Sequence, residues 1–140
     1  MEISVVRKQV HDAIERAKRR RTLDRRTRVD EARLAFDRFL EHTAVPLFRQ
    51  VVNVLRVEGY PFTLHTPAES ARIMSDRRAE DYVEVRLDTS GDIPQVLGRA
   101  SHARASGIVD SEQALGDPSA VTEEELLSFV VLALGPFVDR

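Results

Sequence analysis

The sequence contains no cysteine, and only two of its 21 basic side chains, Lys8 and Lys18, are lysines. The absence of cysteine excludes disulfides, thiolate zinc sites and a cysteine nucleophile, and it fits a reducing compartment, so we expect a cytoplasmic protein. Arginine pairs bidentately with carboxylates and phosphates, and its excess over lysine therefore favours anionic contacts. Codon bias in a GC-rich genome produces the same excess and stays open as an alternative.

The chain also lacks long apolar runs. No stretch approaches the roughly 20 residues that span a bilayer. The only apolar stretch near the N-terminus is interrupted by Glu2, Arg7 and Lys8, which does not fit a signal peptide. With 140 residues, 42% of them apolar and 31% charged, the composition is that of one ordinary globular domain. We therefore expect one core and no membrane partner.

Motifs for catalysis and for tight ligand binding are absent as well. The sequence has no Gly-x-Ser-x-Gly elbow and no glycine-rich phosphate loop followed by Lys-Ser/Thr. Its four histidines are widely separated, so a metal site would need His65 and His102 to meet across strands with Glu69 nearby. We therefore predict a non-enzymatic protein with no catalytic residues, no cofactor and no metal.

The strongest positive signal is a cluster of basic side chains between residues 16 and 28, which we call the basic window. Eight cations face one carboxylate, Asp24, so the window carries a net charge of +7 while the whole chain carries −2. A basic segment on an acidic body predicts an anionic partner or an acidic protein surface. The cations of the basic window are Arg16, Lys18, Arg19, Arg20, Arg21, Arg25, Arg26 and Arg28.

Three interpretations of the basic window remain open. In a helix its cations point in nearly every direction, which argues against a helix that reads a DNA groove, and no aromatic side chain is present to stack on bases. Nonspecific phosphate contact driven by counterion release is one hypothesis. The others are a solvated charged linker and an arm that docks on acidic surface, such as the three glutamates at positions 123 to 125.

Residues 2 to about 21 predict a first helix with one narrow apolar stripe, because apolar side chains recur three or four positions apart. Such a stripe suits a coiled-coil seam, with packing inside the chain as an alternative. Membrane-surface binding is disfavoured because the stripe has no Trp or Phe. We predict a homo-oligomer, most simply a two-fold dimer, joined through Ile3, Val6, Val10 and Ile14.

A joint is predicted near residues 22–28, where Thr22 and Thr27 are candidate N-caps. It divides the chain into a basic amphipathic helical arm, residues 1–28, and a single α+β domain, residues 29–140. A second helix follows from about residue 28 to 58, and Pro46 should kink or break it just before the proline.

Period-two alternation predicts an antiparallel sheet after the helices. The clearest strand contains Val83, Val85 and Leu87, which alternate with polar residues. A polar loop is predicted over residues 110–120. The other predicted strands cover residues 62–65, 69–75, 95–101 and 103–109.

A last helix is predicted from the capping-box pattern of Thr122 and Glu125, with an end at Gly135 and Pro136. This helix is apolar nearly all round, so we expect it to be buried on more than one side. The side chains predicted to pack on the strand of Val83 to Leu87 are Phe129, Val130 and Leu132.

The predicted fold is therefore α+β: two N-terminal helices, an antiparallel sheet of four or five strands, and a C-terminal helix packed on the sheet. The predicted function is that of a small adaptor or regulatory protein which self-associates and binds a protein partner. The alternative is a nonspecific nucleic-acid-binding protein that uses the basic window.

Overall fold

The computed structural model describes residues 1–139 and confirms the α+β class, with one N-terminal helical stretch in place of two separate helices. A five-stranded antiparallel sheet and a C-terminal helix follow that stretch. The elements are α1 (Ile3–Phe39), a π turn (Leu40–Ala44), α2 (Val45–Val57), β1 (Phe62–His65), β2 (Ser70–Ser75), β3 (Tyr82–Asp88), β4 (Gln95–Arg104), β5 (Gly107–Gly116) and α3 (Glu123–Val138).

The joint predicted near residues 22–28 is wrong, because α1 runs through it without a break. The hydroxyls of Thr22 and Thr27 donate to carbonyls four residues earlier, those of Lys18 (3.0 Å) and Leu23 (3.1 Å), so they bond inside the helix and cap nothing. Arginine has a high helix propensity, and the basic window therefore extends the helix. With 37 residues, α1 is about 55 Å long.

The break predicted at Pro46 takes the form of the π turn. There the amide of Val45 donates to the carbonyl of Leu40, five residues earlier, where an α-helix would use the fourth. Pro46 lies in the first turn of α2, where its missing N–H costs least. The backbone stays helical past the proline, so Phe36 before it and Phe48 after it enter the same core.

The strands follow one another in the sheet in the order β1-β2-β3-β4-β5, each antiparallel to the next. The predicted strand 103–109 is wrong, since it spans the turn at Ala105 and Ser106. The predicted loop 110–120 is wrong up to Gly116, because those residues form β5. Most side chains of β5 are exposed, on both faces of the sheet. Because neither face of this strand is buried, its sequence lacks the alternation of apolar and polar residues that predicts a strand.

The core lies between the sheet and the two helices on one of its faces. Helix α2 packs on β1 and β2, and α3 packs on β3 and β4. Gly98 of β4 lies directly beneath Phe129 of α3, where a Cβ atom would come within 2.6 Å of the aromatic ring. The largest fully buried side chains are Phe36, Phe48, Ile73, Leu126, Val83, Val85, Val96 and Val130.

Helix α3 begins as predicted but is buried on one side only. The amide of Glu125 donates to Thr122 Oγ1 (3.1 Å), and the amide of Thr122 donates to Glu125 Oε1 (3.3 Å), which completes the capping box. Phe129 and Val130 are buried as predicted, whereas the prediction for Leu132 is wrong, because its side chain is 74% exposed. The expectation of burial on several sides is wrong because the outer side of α3 stays open, and the predicted end at Gly135 is wrong because the helix continues to Val138.

Candidate interaction surfaces

The N-terminal part of α1 extends away from the core. The buried side chains of α1 are Phe36 and Phe39, and each side chain from residue 1 to 28 is exposed or half-buried. We call residues 3–28 of α1 the arm. Without tertiary packing, an isolated helix depends on intrinsic propensity and local pairs, which stabilise it only weakly.

The predicted self-association residues form one continuous apolar stripe along the arm. Ile3, Val6, Val10 and Ile14 are between 44% and 76% exposed, and their spacing of three and four places them on one side of the helix. We call these four residues the apolar stripe. None of the four is among the apolar side chains that form the core or pack against it, so the core leaves this surface uncovered.

All eight cations of the basic window are exposed. Lys18 pairs with Glu15 one turn earlier, at 3.6 Å. Arg25 instead contacts the body, since Nη1 donates to the carbonyl of Gly91 (3.2 Å) and Nη2 to the carbonyl of Thr89 (3.0 Å). Arg25 therefore ties the arm to the β3–β4 turn, a role that sequence pattern did not reveal because its acceptors are backbone atoms more than 60 residues away.

Helix α3 has a second exposed apolar surface, which the sequence pattern did not indicate. Leu127, Val131, Leu132 and Val138 are 41%, 61%, 74% and 41% exposed; we call them the outer face of α3. Glu123 and Glu124 are exposed in the first turn, at one end of this face. Apolar side chains this exposed and this close together are typical of protein-binding surfaces.

The sheet face opposite the helices carries a row of alternating charges. Arg72, Glu84, Arg99 and Glu112 are register partners across β2 to β5. Arg72 Nη2 lies 2.8 Å from Glu84 Oε2, and its guanidinium lies 3.9 Å from the centre of the Tyr82 ring. Opposite charges on neighbouring strands pair with one another, so this row stabilises the sheet and leaves little net charge for a ligand.

Three carboxylates have a clearly lowered pKa, and each has a local structural cause. The hydrogen bond from Thr63 Oγ1 (2.5 Å) lowers the pKa of Asp76 below its ordinary 3.8, and the bond from Arg56 Nη2 (2.9 Å) lowers it further. Hydrogen bonds from Ser90 lower the pKa of Asp88, and those from Ser119 lower that of Asp117. The same hydrogen bonds favour the ionised form of each carboxylate and stabilise turns and strand ends.

The histidines do not assemble a metal site. His65 lies on β1 and His102 on β4, with two strands between them, which separates them by about 14 Å at the usual strand spacing. The hypothesis that they meet across strands is therefore wrong. His102 accepts a hydrogen bond from Arg104 Nε (3.0 Å) and packs edge-on against Phe137. No group of three or more ligand-type side chains within residues 1–139 could hold a metal ion.

Two of the polar groups that line one cavity of the body already have hydrogen-bond partners. This cavity, of about 260 Å³, lies among Tyr60, Ser75, Arg77, Asp81 and Phe137. Ser75 Oγ accepts the amide of Arg77 (3.1 Å), and Asp81 Oδ1 accepts the amide of Ala103 (2.9 Å). Both acceptors are thus already used to hold backbone in place, which is a structural role.

Comparison with known proteins gives no relative: no family model, no curated protein and no solved structure matches the chain. Among residues 1–139, no helix combines the length and the apolar character needed to cross a bilayer. The two uncovered apolar surfaces and the basic window are therefore the features on which a function can be built.

Proposed function

We propose that this protein is a small, non-enzymatic adaptor or regulatory protein that associates with itself through the apolar stripe and binds a protein partner. The observation that carries the proposal is the exposed stripe, on a helix whose first buried residue is Phe36. Phe36 lies 22 residue steps of helix beyond Ile14, or about 33 Å, so the body of the same chain does not cover the stripe.

The energetics favour a covered stripe. Full burial of one Val, Ile or Leu side chain contributes about 1.5–3 kcal/mol to stability. Differences in helix propensity amount to only a few tenths of a kcal/mol per residue, so burial of the four stripe side chains is the larger contribution. Association would therefore stabilise the arm and the assembly together. β-branched side chains at these positions are also typical of helix–helix seams.

The experiment is sedimentation of the full chain at tens of micromolar, with Val6→Glu/Val10→Glu as the stripe variant. The matched control is Val5→Glu/Leu23→Glu, which places the same two charges at exposed positions of the arm away from the stripe. We expect the wild type and the control to sediment as a dimer or larger and the stripe variant as a monomer. A monomeric wild type at these concentrations would overturn the proposal.

A second candidate function is nonspecific nucleic-acid binding by the basic window, favoured by the exposure of all eight cations on one projecting helix. If about five phosphates are neutralised, the log–log slope of affinity against salt on duplex DNA is about −4.5. Arg25 is left unchanged in the test because it holds the β3–β4 turn. The variant replaces Arg19, Arg20, Arg21, Arg26 and Arg28 by Gln.

The matched control for this variant removes five exposed arginines outside the basic window: Arg33, Arg38, Arg49, Arg77 and Arg78 to Gln. Salt-sensitive binding of generic DNA or RNA that survives in the control and disappears in the window variant would establish the second function. Equal loss in both variants would show that net charge alone attracts the nucleic acid.

A further inference from the structure

Two apolar surfaces of this chain, the apolar stripe and the outer face of α3, remain exposed and do not meet within one copy. We propose that they cover each other between two copies, so that the arm of one copy lies antiparallel along α3 of the other. This inference rests on the proposed self-association and names the surface that receives the stripe.

The two surfaces have the same length. The stripe runs from Ile3 to Ile14 and the outer face from Leu127 to Val138, so each covers eleven residue steps of a regular helix. At 1.5 Å per residue both are about 16 Å long. Laid side by side in antiparallel order, Ile14 lies beside Leu127, Val10 beside Val131 and Ile3 beside Val138, while Val6 lies beside Gly135. Neither surface extends past the other.

Charge sets the direction of the arm on α3. In the antiparallel arrangement Ile14 lies beside Leu127, and the start of the basic window continues along the first turn of α3, where Glu123 and Glu124 are exposed. In the parallel arrangement the window would instead continue past Val138, more than 20 Å from those glutamates by helical rise. Opposite charges therefore favour the antiparallel direction. The same two carboxylates also complement the dipole of α3 at its N-terminus.

A pair of arms is the competing way to cover the stripe. Two parallel arms would place two windows of +7 side by side, and this repulsion works against association. Two antiparallel arms would separate the windows but would leave Leu127, Val131, Leu132 and Val138 exposed on both copies. Docking on α3 covers both apolar surfaces and pairs the opposite charges, so it is the arrangement that these observations favour.

Two full-length variants test the proposal. The arm variant is Val6→Glu/Val10→Glu, and the α3 variant is Val131→Glu/Leu132→Glu; all four side chains are exposed, so neither variant should unfold the body. The control is Val54→Glu/Val57→Glu, two exposed positions on α2. We expect each variant alone to lose self-association and the control to keep it.

An equimolar mixture of the arm variant and the α3 variant is the decisive sample. One copy then supplies an intact arm and the other an intact outer face, so we expect the mixture to associate about tenfold or more tightly than either variant alone, equivalent to ~1.4 kcal/mol. Loss of association in the arm variant alone would show that arms pair with arms, which overturns this inference and leaves self-association intact. Loss in the α3 variant alone would show that α3 pairs with α3 and would overturn both proposals.

A charge exchange tests the direction of docking. Arg16→Glu/Lys18→Glu, at the start of the basic window, should weaken self-association at low salt, and the addition of Glu123→Arg/Glu124→Arg in the same chain should restore it. Glu125 is left unchanged because it belongs to the capping box. Thermal unfolding confirms that each protein is folded. Failure of the exchange to restore association, or failure of the mixed sample to recover it, would overturn the inference, whereas a monomeric wild type would overturn the proposed self-association itself.

Discussion

The two ends of α1 belong to the same helix but have opposite surroundings. Near its C-terminal end Phe36 is 1% exposed and packs in the core, while Val10 in the arm is 53% exposed. The body is held by contacts between residues distant in sequence, whereas the arm, apart from the contact of Arg25 with the β3–β4 turn, is held by hydrogen bonds and propensities within itself. A helix can therefore continue far beyond the core that stabilises its other end.

This contrast predicts where substitutions will matter. A change in the body removes packing that the sheet and two helices share, so its effect appears as a lower free energy of unfolding. A change in the arm removes no packing from the single chain and should appear in assembly instead.

The largest effect is expected for Phe129→Ala. The ring is 5% exposed and lies over Gly98, so its removal leaves a cavity that the rigid sheet cannot fill. We expect a loss of about 3–5 kcal/mol in the free energy of unfolding, measured by urea denaturation. A loss below ~1 kcal/mol would show that α3 is peripheral and that the body does not depend on it.

Gly98→Ala tests the same contact from the sheet side. Its Cβ would lie 2.6 Å from the Phe129 ring, so α3 must shift, and we expect a loss of about 1–3 kcal/mol. The matched control is Gly91→Ala, where a Cβ has open space and the change should stay within about 0.5 kcal/mol. In the double variant Gly98→Ala/Phe129→Ala the new methyl group enters the cavity, so the loss should be smaller than the sum of the single losses.

The arm should show its independence in hydrogen exchange. In the stripe variant Val6→Glu/Val10→Glu, amides of residues 3–28 should exchange much faster than amides of β3 and β4, because local opening of the arm exposes no core. The free energy of unfolding of the body should change by less than about 0.5 kcal/mol. Equal protection of the arm and the sheet in this variant would contradict the division between them.

The smallest effect concerns acid stability of the body. Because its hydrogen bonds lower the pKa of Asp76 in the folded state, they contribute stability above its ordinary pKa of 3.8, and that contribution is lost as the pH falls through the lower folded pKa. We expect Thr63→Ala to be less stable than the wild type near pH 6, with the difference shrinking as the pH falls below the ordinary pKa of Asp76, 3.8. A pH-independent difference in melting temperature would show that Thr63 acts through packing alone.

The sequence pattern predicted the fold where one side of an element is buried. Val83, Val85 and Leu87 alternate with polar residues because β3 has one face on the core, and the strand appears where that alternation predicts it. β5 has exposed side chains on both faces, so nothing in its pattern separated it from a loop. Thr22 and Thr27 predicted a joint because the same hydroxyl can cap a helix or bond inside one.

The sequence predicted two of the candidate surfaces, the apolar stripe and the basic window, but not the outer face of α3. The stripe and the basic window lie on one exposed helix, and a periodic pattern is sufficient to identify such a face. The outer face of α3 was missed because apolar residues around a whole helix predict burial, and only the three-dimensional arrangement shows which of them the sheet covers. The contact of Arg25 with the β3–β4 turn was missed because backbone acceptors are present at every residue.

The π turn at Leu40–Ala44 sets the rotational phase of everything N-terminal to it. A π turn accommodates one residue more than an α turn, and one residue corresponds to about 100° of rotation about the helix axis. If Leu40–Ala44 became regular α-helix with all its residues kept, the stripe would therefore turn by roughly a quarter of a circle relative to the sheet, with every residue of the arm unchanged. The direction in which the stripe faces, relative to the sheet, is therefore set by the π turn. A change in the geometry of this turn would redirect assembly without altering either apolar surface.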